Sequence, residues 1–571
     1  MHLLFCLTCK VPRHRGTRLF VVVMQHEKTA EANMQQRTLN NTADFLLDGD
    51  NFFARFHQEL TAIEALYAGP APAAGSAYIR LMFWKAEPNT MLPAIPGQVA
   101  RTVAAALTAL ANAGCPIRIM LWQGLYPEVR NAWRAFQNAL NGVANVEIYL
   151  DPYGSAFWNP AQSMHMKVAL FRANNVLTGL VGGLNIGNSY MSPPAHTVAH
   201  YWHDGGCALQ GPVCDTLEDL WRRRWNVANN QHPAVAASLI PQAPAMANGF
   251  PVTIATTETD APNTARDIRP LILDQIDRAA RYIYMENQVM TDPVIVEALA
   301  QKIARQPHVR VIIVVPHPLN TSMGSYAGYS YMMYYTYMTL ALANVTSVTA
   351  RRWRPNVNMT RTQIARGELS SLIPGGNSTI ISGNNIGRTE FRRNRQTLAN
   401  LLANVSGVNG GRALAWSEQR TFNWRLNDGT TGQTKFKNLS NIVAPPVMYS
   451  PIVQDNNRRW PYVHSKIALF DDRVAFVGSS NWTFRSMDYD GEITAMIEDP
   501  ATATAIRTQI FNHWEAGLTP VNWLQRATTN FNNFGHAPPV AGQTYIVPLQ
   551  YNDFHWWSLP AWGTWLLPRY F

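Results

Sequence analysis

One pattern occurs twice in this chain of 571 residues, and it constrains the fold more than any other feature. Each copy has a His, a Lys two residues later, an apolar run, a short polar turn, a second apolar run and a Gly/Asn loop. The His, Lys and Asn residues are His165, Lys167 and Asn185 in the first copy and His464, Lys466 and Asn481 in the second. The paired apolar runs predict β-strands. The repetition predicts two halves that face each other across a pseudo-twofold axis.

The side chains in this pattern favour chemistry on a phosphate diester. His and Lys two residues apart on a strand point to the same face. An imidazole titrates near pH ~6.5, so one His can act as a neutral nucleophile while the other acts as a protonated acid. Lys and Asn donate hydrogen bonds suited to phosphate oxygens. Two such sets around one phosphoryl group supply in-line attack, protonation of the leaving group and charge stabilisation without a metal.

The plainer interpretations of the pattern are chance and zinc binding. A single His-x-Lys is common by chance. A zinc site is disfavoured because each His has a cation two residues away on its own face. The repetition, with the same Ala-Leu-Phe sequence after each motif, favours function. The sequence therefore predicts a site with neither a metal nor a cofactor.

The paired motifs resemble those of the phospholipase D superfamily, which are of the HxK(x4)D and GGxN types. The second copy matches fully as His464, Lys466, Asp471 and Asn481. The first copy has Arg172 in place of the motif Asp. In the family this Asp lies at a strand end and looks mainly structural. The resemblance therefore implies a local effect on stability in the first half rather than a loss of catalysis.

The resemblance also implies a carboxylate for each imidazole. Family members carry an acidic residue downstream of each His that hydrogen-bonds its far ring nitrogen and fixes the tautomer. Glu492 matches after the second motif and Asp204 after the first. Without the motifs, each would be interpreted as an ordinary surface carboxylate.

By analogy with the family, the motif residues divide the reaction among them. His165 attacks phosphorus and forms a phosphohistidine, and His464 protonates the departing alcohol. His464 then serves as the base when water or an added alcohol releases the product. Lys167, Lys466, Asn185 and Asn481 are expected to hold the phosphate, while Asp204 and Glu492 orient the imidazoles.

The length and the alternation of strands with helices predict an α/β protein with two fused lobes. By resemblance, each lobe is a phospholipase D-like mixed sheet flanked by helices, and the active site lies at the lobe interface. The expected divisions are an N-terminal extension (1–39), a first lobe (40–240), a second lobe (249–520) with an insertion (319–455), and an aromatic-rich tail (521–571).

Composition and charge indicate a globular protein with an anionic partner. Apolar residues make up 47% of the chain and charged residues 15%, which excludes a disordered chain. The net charge of +10 suits a phospholipid surface or nucleic acid. Residues 351–400 hold nine Arg and two Glu, so 9 − 2 gives +7 in this segment. The uncharged, Tyr- and Met-rich segment 319–350 suits either core packing or a wall against acyl chains.

The N-terminal sequence does not predict export through a signal peptide. Residues 1–23 lack an apolar region of adequate length and a small-residue cleavage site, and no run qualifies as a transmembrane helix. The expectation is a soluble monomer, either cytoplasmic or secreted by a non-classical route as a bacterial effector. The sequence identifies no secretion-system or immunity partner.

The leading functional prediction is a phospholipase D-type phosphodiesterase that hydrolyses glycerophospholipids and also supports transphosphatidylation. The alternative is a metal-independent nuclease of the same superfamily. Nuclease members are often short chains with a single motif that dimerise, whereas this chain is long, carries both motifs and is rich in aromatic residues. A membrane-binding pseudoenzyme, suggested only by Arg172, is disfavoured by the intact His, Lys and Asn residues of both motifs. The sequence does not specify a headgroup.

Overall fold

The structure is a computed structural model in which some segments of the chain are described and others are not. The described residues are 36–124, 127–153, 162–196, 202–227, 234–236, 242–259, 264–317, 333, 336–337, 340, 421–425, 431–435, 447–453, 460–514 and 544–549. The Arg-rich segment 351–400 lies outside them, as do residues 1–35 of the expected extension and most of the segment 319–350 and of the aromatic tail.

The first part of the described chain alternates strands with helices, as its sequence predicts. Its strands are β1 (Arg37–Leu47), β2 (Ala77–Phe83), β3 (Met91–Leu92), β4 (Arg101–Thr102), β5 (Ile117–Trp122), β6 (Val146–Asp151), β7 (Val168–Ala173), β8 (Val176–Gly182), β9 (Trp202–His203) and β10 (Gly205–Gln210). Its α-helices are α1 (Asp48–Tyr67), α2 (Val103–Asn112), α3 (Pro127–Ala139) and α4 (Val213–Val227). A 3-10 turn spans Asn188–Tyr190.

The second part continues the alternation. Its strands are β11 (Phe250–Glu258), β12 (Ala265–Arg266), β13 (Tyr282–Asn287), β14 (Arg310–Val314), β15 (Thr421–Arg425), β16 (Thr431–Lys435), β17 (Met448–Val453), β18 (Tyr462–Val463), β19 (Lys466–Phe470), β20 (Val474–Gly478), β21 (Glu492–Ile497) and β22 (Thr544–Pro548). Its α-helices are α5 (Ile268–Arg278), α6 (Pro293–Arg305), α7 (Phe484–Asp488) and α8 (Pro500–Trp514).

Most of the described strands form one large mixed sheet, which confirms the predicted α/β class, while β3–β4, β9–β18 and β15–β16 form separate pairs. The order is β22-β17-β14-β13-β19-β20-β21-β11-β1-β10-β8-β7-β2-β5-β6, and β12 pairs with β11. β17 lies within the expected insertion and pairs in parallel with β14, while β22 lies within the expected tail and pairs with β17.

The strand order repeats outward from the centre of the sheet, where β1 and β11 pair antiparallel. One side runs β1-β10-β8-β7-β2-β5-β6 and the other runs β11-β21-β20-β19-β13-β14-β17. The pairings on the two sides also have the same sense, antiparallel from the central strand to β2 or β13 and parallel beyond it. The two motif hairpins, β7–β8 and β19–β20, therefore occupy equivalent positions in the sheet.

Helix α1 packs the first motif hairpin from one face. Its apolar residues recur at the spacing of an amphipathic helix, and Phe52, Phe53, Phe56, Leu60 and Ile63 are buried. Phe56 meets Phe171 of β7 edge-on, with ring centroids 4.9 Å apart. Burial of each such side chain stabilises the fold by about 1.5–3 kcal/mol. Within the described ranges, no helix is both long and apolar enough to cross a membrane.

Candidate functional site

Backbone contacts bring each motif His beside the acid-bearing segment of the other motif copy. The backbone N–H of His165 donates to the carbonyl of Gly491 at 2.8 Å, next to Glu492. The backbone N–H of His464 donates to the carbonyl of His203 at 2.7 Å, next to Asp204. Strand β18, which precedes His464, also pairs in parallel with β9. These contacts join segments separated by about half of the chain.

The side chains form two crossed His–carboxylate pairs. His165 Nδ1 lies 3.0 Å from Glu492 Oε1, and His464 Nδ1 lies 2.6 Å from Asp204 Oδ2. The expectation that each acid would serve the His of its own copy is wrong. Asp204 directly precedes β10 and Glu492 begins β21, and these strands lie next to the central strands β1 and β11. Each carboxylate contacts the His of the opposite copy. In each pair the Nδ1 atom is engaged, so Nε2 remains for chemistry.

A short hydrogen-bond network fixes the first of these acids. Asp204 Oδ1 accepts from the backbone N–H of Gly205 at 2.8 Å, and the Asp204 N–H donates to Asp48 Oδ1 at 3.0 Å. A side chain at Gly183 would place its Cβ 2.2 Å from Asp204 Oδ1. The glycine in the loop of the first motif is therefore needed for the close approach of this carboxylate.

A serine fixes the second acid. Ser479 Oγ donates to Glu492 Oε2 at 2.6 Å, and Glu492 is fully buried. Ser479 lies in the Gly/Asn loop of the second motif, which ends at Asn481. In both copies the loop that follows the hairpin therefore contacts the acid that orients the His of the opposite copy.

The two motif lysines are buried cations beside the imidazoles. Lys167 and Lys466 are 1% and 2% exposed. Lys167 Nζ donates to the carbonyl of His165 at 2.6 Å, and Lys466 Nζ donates to the carbonyl of His464. Burial lowers the pKa of Lys167 to about 7 and that of Lys466 to about 8, although Glu492 and Asp204 oppose the shift. Such ammonium groups gain stability from an anionic ligand.

The two motif asparagines differ in their anchoring. Asn185 Nδ2 donates to the Tyr190 hydroxyl at 2.8 Å, and Asn185 Oδ1 accepts from the backbone N–H of Lys85 at 3.2 Å. Asn481 Oδ1 is buried and has no hydrogen-bond partner within the described ranges. The first amide is held by the fold, while the oxygen of the second has no such anchor among the described residues.

Both imidazoles are biased toward the neutral form. Burial and the charges of Lys167 and Lys466 lower the pKa of His165 well below its usual value. The pKa of His464 is lowered by burial, by the same two lysines and by His165. Burial raises the pKa of Glu492 to about 7 and that of Asp204 to about 6. The two His, two Lys and two acid side chains therefore shift one another's pKa values, and we call these six residues the motif cluster.

The rate constant kcat/KM is expected to fall on both sides of neutrality. Burial raises the pKa of Glu492 to about 7, so below that pH the protonated acid no longer holds His165 in the required tautomer. Burial lowers the pKa of Lys167 to about 7 and that of Lys466 to about 8, so the two charges are lost as the pH rises through these values. A pH profile of kcat/KM on a water-soluble phosphodiester reports these groups in the free enzyme. Glu492→Gln should move the acidic limb to lower pH, toward the pKa of about 6 of Asp204, and an acidic limb that stayed in place in that variant would refute the assignment.

The crossed pairing predicts which imidazole responds to each acid. Glu492→Gln should shift the Nδ1 resonance of His165 in a ¹⁵N-histidine NMR spectrum and leave that of His464 in place. Asp204→Asn should do the reverse. Each substitution should also lower kcat by about 10- to 100-fold, as loss of an orienting partner does at other sites. A Glu492→Gln spectrum in which only His464 moved would show that the pairs are not crossed.

Aromatic rings that the motifs do not predict surround the two imidazoles. Ring centroids lie 5.9 Å apart for Trp84 and His165, 5.0 Å for Trp202 and His464, and 5.4 Å for Tyr190 and His464. We call Trp84, Tyr190 and Trp202 the aromatic collar. Its position two residues before Asp204 is the sequence signal that could have placed Trp202 at the site.

The sequence of the segment Tyr282 to Gln288 suits either a structural or a pocket-lining role, and the segment contains a residue of each kind. Gln288 Oε1 accepts from Lys466 Nζ at 3.3 Å, and Gln288 Nε2 donates to the Tyr462 hydroxyl at 2.7 Å. Glu286 instead is fully buried and contacts His203 at 2.9 Å. Gln288 thus joins the motif cluster, which makes it an additional candidate site residue.

The motif Asp of the second copy has the predicted structural role. The carboxylate of Asp471 accepts hydrogen bonds of 2.6–2.8 Å from the backbone N–H groups of residues 280–282, at the start of β13. Arg172, at the matching position of the first copy, is fully buried and its Nε donates to the Tyr78 hydroxyl at 3.3 Å. The Tyr78 hydroxyl in turn donates to Glu218 at 3.0 Å. The substitution therefore exchanges one local network for another and leaves the motif His and Lys in place.

Comparisons with known proteins agree with the motif. The family model described as "Cardiolipin synthase, PLD-like domain" matches residues 428–514, which contain the second motif and Glu492. The chain is 24% identical over 167 residues to a probable cardiolipin synthase, YwiE, of Bacillus subtilis (strain 168), a match that covers 29% of this chain. That match spans 31% of the length of the curated relative.

Two solved structures show lower similarity. The phosphatidylserine synthase of Haemophilus influenzae Rd KW20 is 11% identical, with a TM-score of 0.43 over 93% of this chain and 95% of that one. The polyphosphate kinase of Porphyromonas gingivalis is 12% identical, with a TM-score of 0.28 over 50% of this chain and 38% of that one. The family match contains the second motif. Residues 428–514 are therefore similar to the phospholipase D-like domain of cardiolipin synthases, within the phospholipase D superfamily.

Proposed function

We propose that this protein is a phosphodiesterase that cleaves glycerophospholipids through a phosphohistidine intermediate. The observation that carries the proposal is the pair of crossed His–carboxylate contacts, which set two oriented imidazoles beside two buried lysines. A nucleophile, an acid and two cations are the groups that phosphoryl transfer needs when charge is stabilised by protein side chains.

In the first step, His165 Nε2 attacks phosphorus and the bond from phosphorus to the leaving oxygen breaks. Glu492 accepts the Nδ1 proton of His165 in a hydrogen bond, so the lone pair lies on Nε2. His464 donates its proton to the leaving oxygen. The negative charge of the substrate offsets the lysine charges that lower the pKa of His464, and so favours the protonated form of that imidazole.

In the second step, His464 takes a proton from the incoming hydroxyl, whose oxygen attacks phosphorus as the bond to His165 breaks. Both histidines then return to their starting protonation states. Lys167 and Lys466, with amide donors from Asn185 and Asn481, hold the phosphate oxygens in both steps. Water as the acceptor gives hydrolysis, and an alcohol gives transphosphatidylation.

We infer that this site lies between two fused lobes related by a pseudo-twofold axis. The repeated strand order and the equivalent positions of the two motif hairpins support this arrangement. The crossed contacts support it further, because each imidazole takes its acid from the other half of the chain. Neither half alone would then hold a complete site.

Two observations support a phospholipid as the substrate. The aromatic collar lines the imidazoles with large apolar surfaces, and aromatic rings suit a molecule with one polar and one apolar end. The curated relative is named a probable cardiolipin synthase. A nuclease is the second candidate, and an assay with lipid and DNA substrates distinguishes it from a phospholipase.

The test uses mixed phosphatidylethanolamine and phosphatidylglycerol vesicles with a small proportion of ethanol. The wild type should yield phosphatidic acid and phosphatidylethanol, and His165→Ala should yield neither. His57→Gln is the matched control, since His57 is buried but contacts Pro93 and Arg101 rather than the motifs. Absence of lipid products, together with cleavage of single- or double-stranded DNA by the wild type, would replace the proposal with the nuclease.

A further inference from the structure

Four side chains of the metal-binding type converge beside Asp204 of the motif cluster. They are Asp48, His196, His203 and His513, and each offers one ligand atom within 4.8 Å of the other three. Their side chains are between 0% and 4% exposed. They come from the start of α1, the segment after the 3-10 turn, strand β9 and the end of α8. We call these four residues the His/Asp cluster.

The centre of the cluster contains an unsatisfied acceptor. Asp48 Oδ2 is buried and has no hydrogen-bond partner among the described residues. It lies 3.9 Å from His196 Nε2 and 3.9 Å from His513 Nε2, and these two nitrogens are 3.1 Å apart. A buried carboxylate oxygen without a partner is costly unless a proton or a cation satisfies it.

Outer contacts hold two of the imidazoles so that one ring nitrogen of each faces the cluster. His203 Nε2 lies 2.9 Å from Glu286 Oε2, a carboxylate that accepts the Nε2 proton. The other ring nitrogen, Nδ1, lies 3.0 Å from Asp48 Oδ1, and a bound cation would displace its proton and use the lone pair of the neutral ring. His196 Nδ1 lies 3.2 Å from Ser192 Oγ, which leaves Nε2 to face inward. Such outer hydrogen bonds orient histidine ligands at known metal sites.

We propose that the His/Asp cluster binds one divalent transition-metal ion, with zinc as the best match. Three imidazole nitrogens and one carboxylate oxygen suit tetrahedral zinc, whose ligand distances of about 2.0–2.2 Å put neighbouring ligand atoms roughly 3.3 Å apart. Magnesium and calcium prefer all-oxygen sites and fit this set poorly. All four ligands are protein side chains, so the ion would complete a closed, structural site.

The cluster is separate from the phosphate-binding groups but adjoins Asp204, the acid that orients His464. The backbone N–H of Asp48 donates to the carbonyl of Asp204 at 2.9 Å, and Asp48 Oδ1 accepts from the Asp204 N–H at 3.0 Å. An ion here would tie α1, β9 and α8 together and keep Asp204 beside His464. Its role is therefore to position Asp204, and the motif residues carry out the chemistry.

The experiment is a cobalt titration of wild-type protein that has first been stripped by prolonged dialysis against a chelator. We expect about one equivalent of Co²⁺ to bind and to give the intense visible absorption of a tetrahedral site. The double variant His196→Gln/His513→Gln should weaken binding by at least about 100-fold. His57→Gln, which removes a buried histidine outside the cluster, should bind like the wild type.

A second readout is the thermal midpoint with and without added zinc, which should rise in the wild type and stay constant in the double variant. The alternative to a metal is a protonated His203 shared between Asp48 and Glu286. In that case stripped wild type would show no tetrahedral cobalt spectrum and no zinc-dependent midpoint, which would overturn the proposal even if the double variant failed to fold. Neither readout depends on phosphodiesterase activity.

Discussion

Replacing His165 by alanine is expected to lower turnover by roughly 10⁴- to 10⁶-fold, the loss seen when a covalent nucleophile is removed. The proposed intermediate is a bond between phosphorus and His165 Nε2, and the His464 imidazole is committed to proton transfer. The loss should be equally complete with phospholipids and with nitrophenyl phosphodiesters, because an activated leaving group does not replace a nucleophile. Initial rates on both substrates measure the effect.

Two controls keep this result interpretable. His57→Gln should retain the wild-type rate, and His165→Ala should keep the wild-type thermal midpoint to within a few degrees. A His165→Ala variant that is folded and turns over within about tenfold of the wild type would exclude the phosphohistidine at this position.

Replacing His464 by alanine is expected to separate the two steps of the reaction. On phospholipids kcat should fall by about 10²- to 10⁴-fold, because the alkoxide leaves without a proton donor. A nitrophenolate needs no protonation to leave, so His464→Ala should still release about one equivalent of nitrophenol from a nitrophenyl phosphodiester. The reaction should then stall, since no base activates water. Rapid-mixing absorbance gives the size of this burst.

The matched comparison is the same experiment with His165→Ala, which should show no burst. If His165→Ala gave the one-equivalent burst and His464→Ala gave none, the two histidines would have the opposite roles. Continuous fast turnover of the nitrophenyl substrate by His464→Ala would mean that another group activates water.

Local patterns were sufficient to predict much of the sheet. The apolar run at residues 117–122 predicts a strand, and β5 lies at Ile117–Trp122. Both motif hairpins lie where the paired apolar runs predict them. The Ala-rich sequence of residues 98–111 predicts a helix from residue 98, but α2 begins at Val103. Thr102 accounts for the difference, because its side chain accepts from the Ala105 N–H and caps the helix at that point.

Contacts between distant segments could not be predicted in the same way. His165 and Glu492 are separated by 327 positions, and His464 and Asp204 by 260. Their pairing depends on the order of strands in the sheet, which no local pattern contains. The His/Asp cluster is harder still to foresee, since its ligands come from four separate elements and follow no metal-site spacing.

The most direct test of the account is to identify the residue that becomes covalently labelled. His464→Ala would be mixed with a phosphodiester radiolabelled at phosphorus that carries a nitrophenyl leaving group, quenched in alkali and digested. The account predicts about one equivalent of label on the peptide that contains His165, with the stability in base and lability in acid of a phosphohistidine. Label on any other residue, or no label while nitrophenol is released, would contradict it.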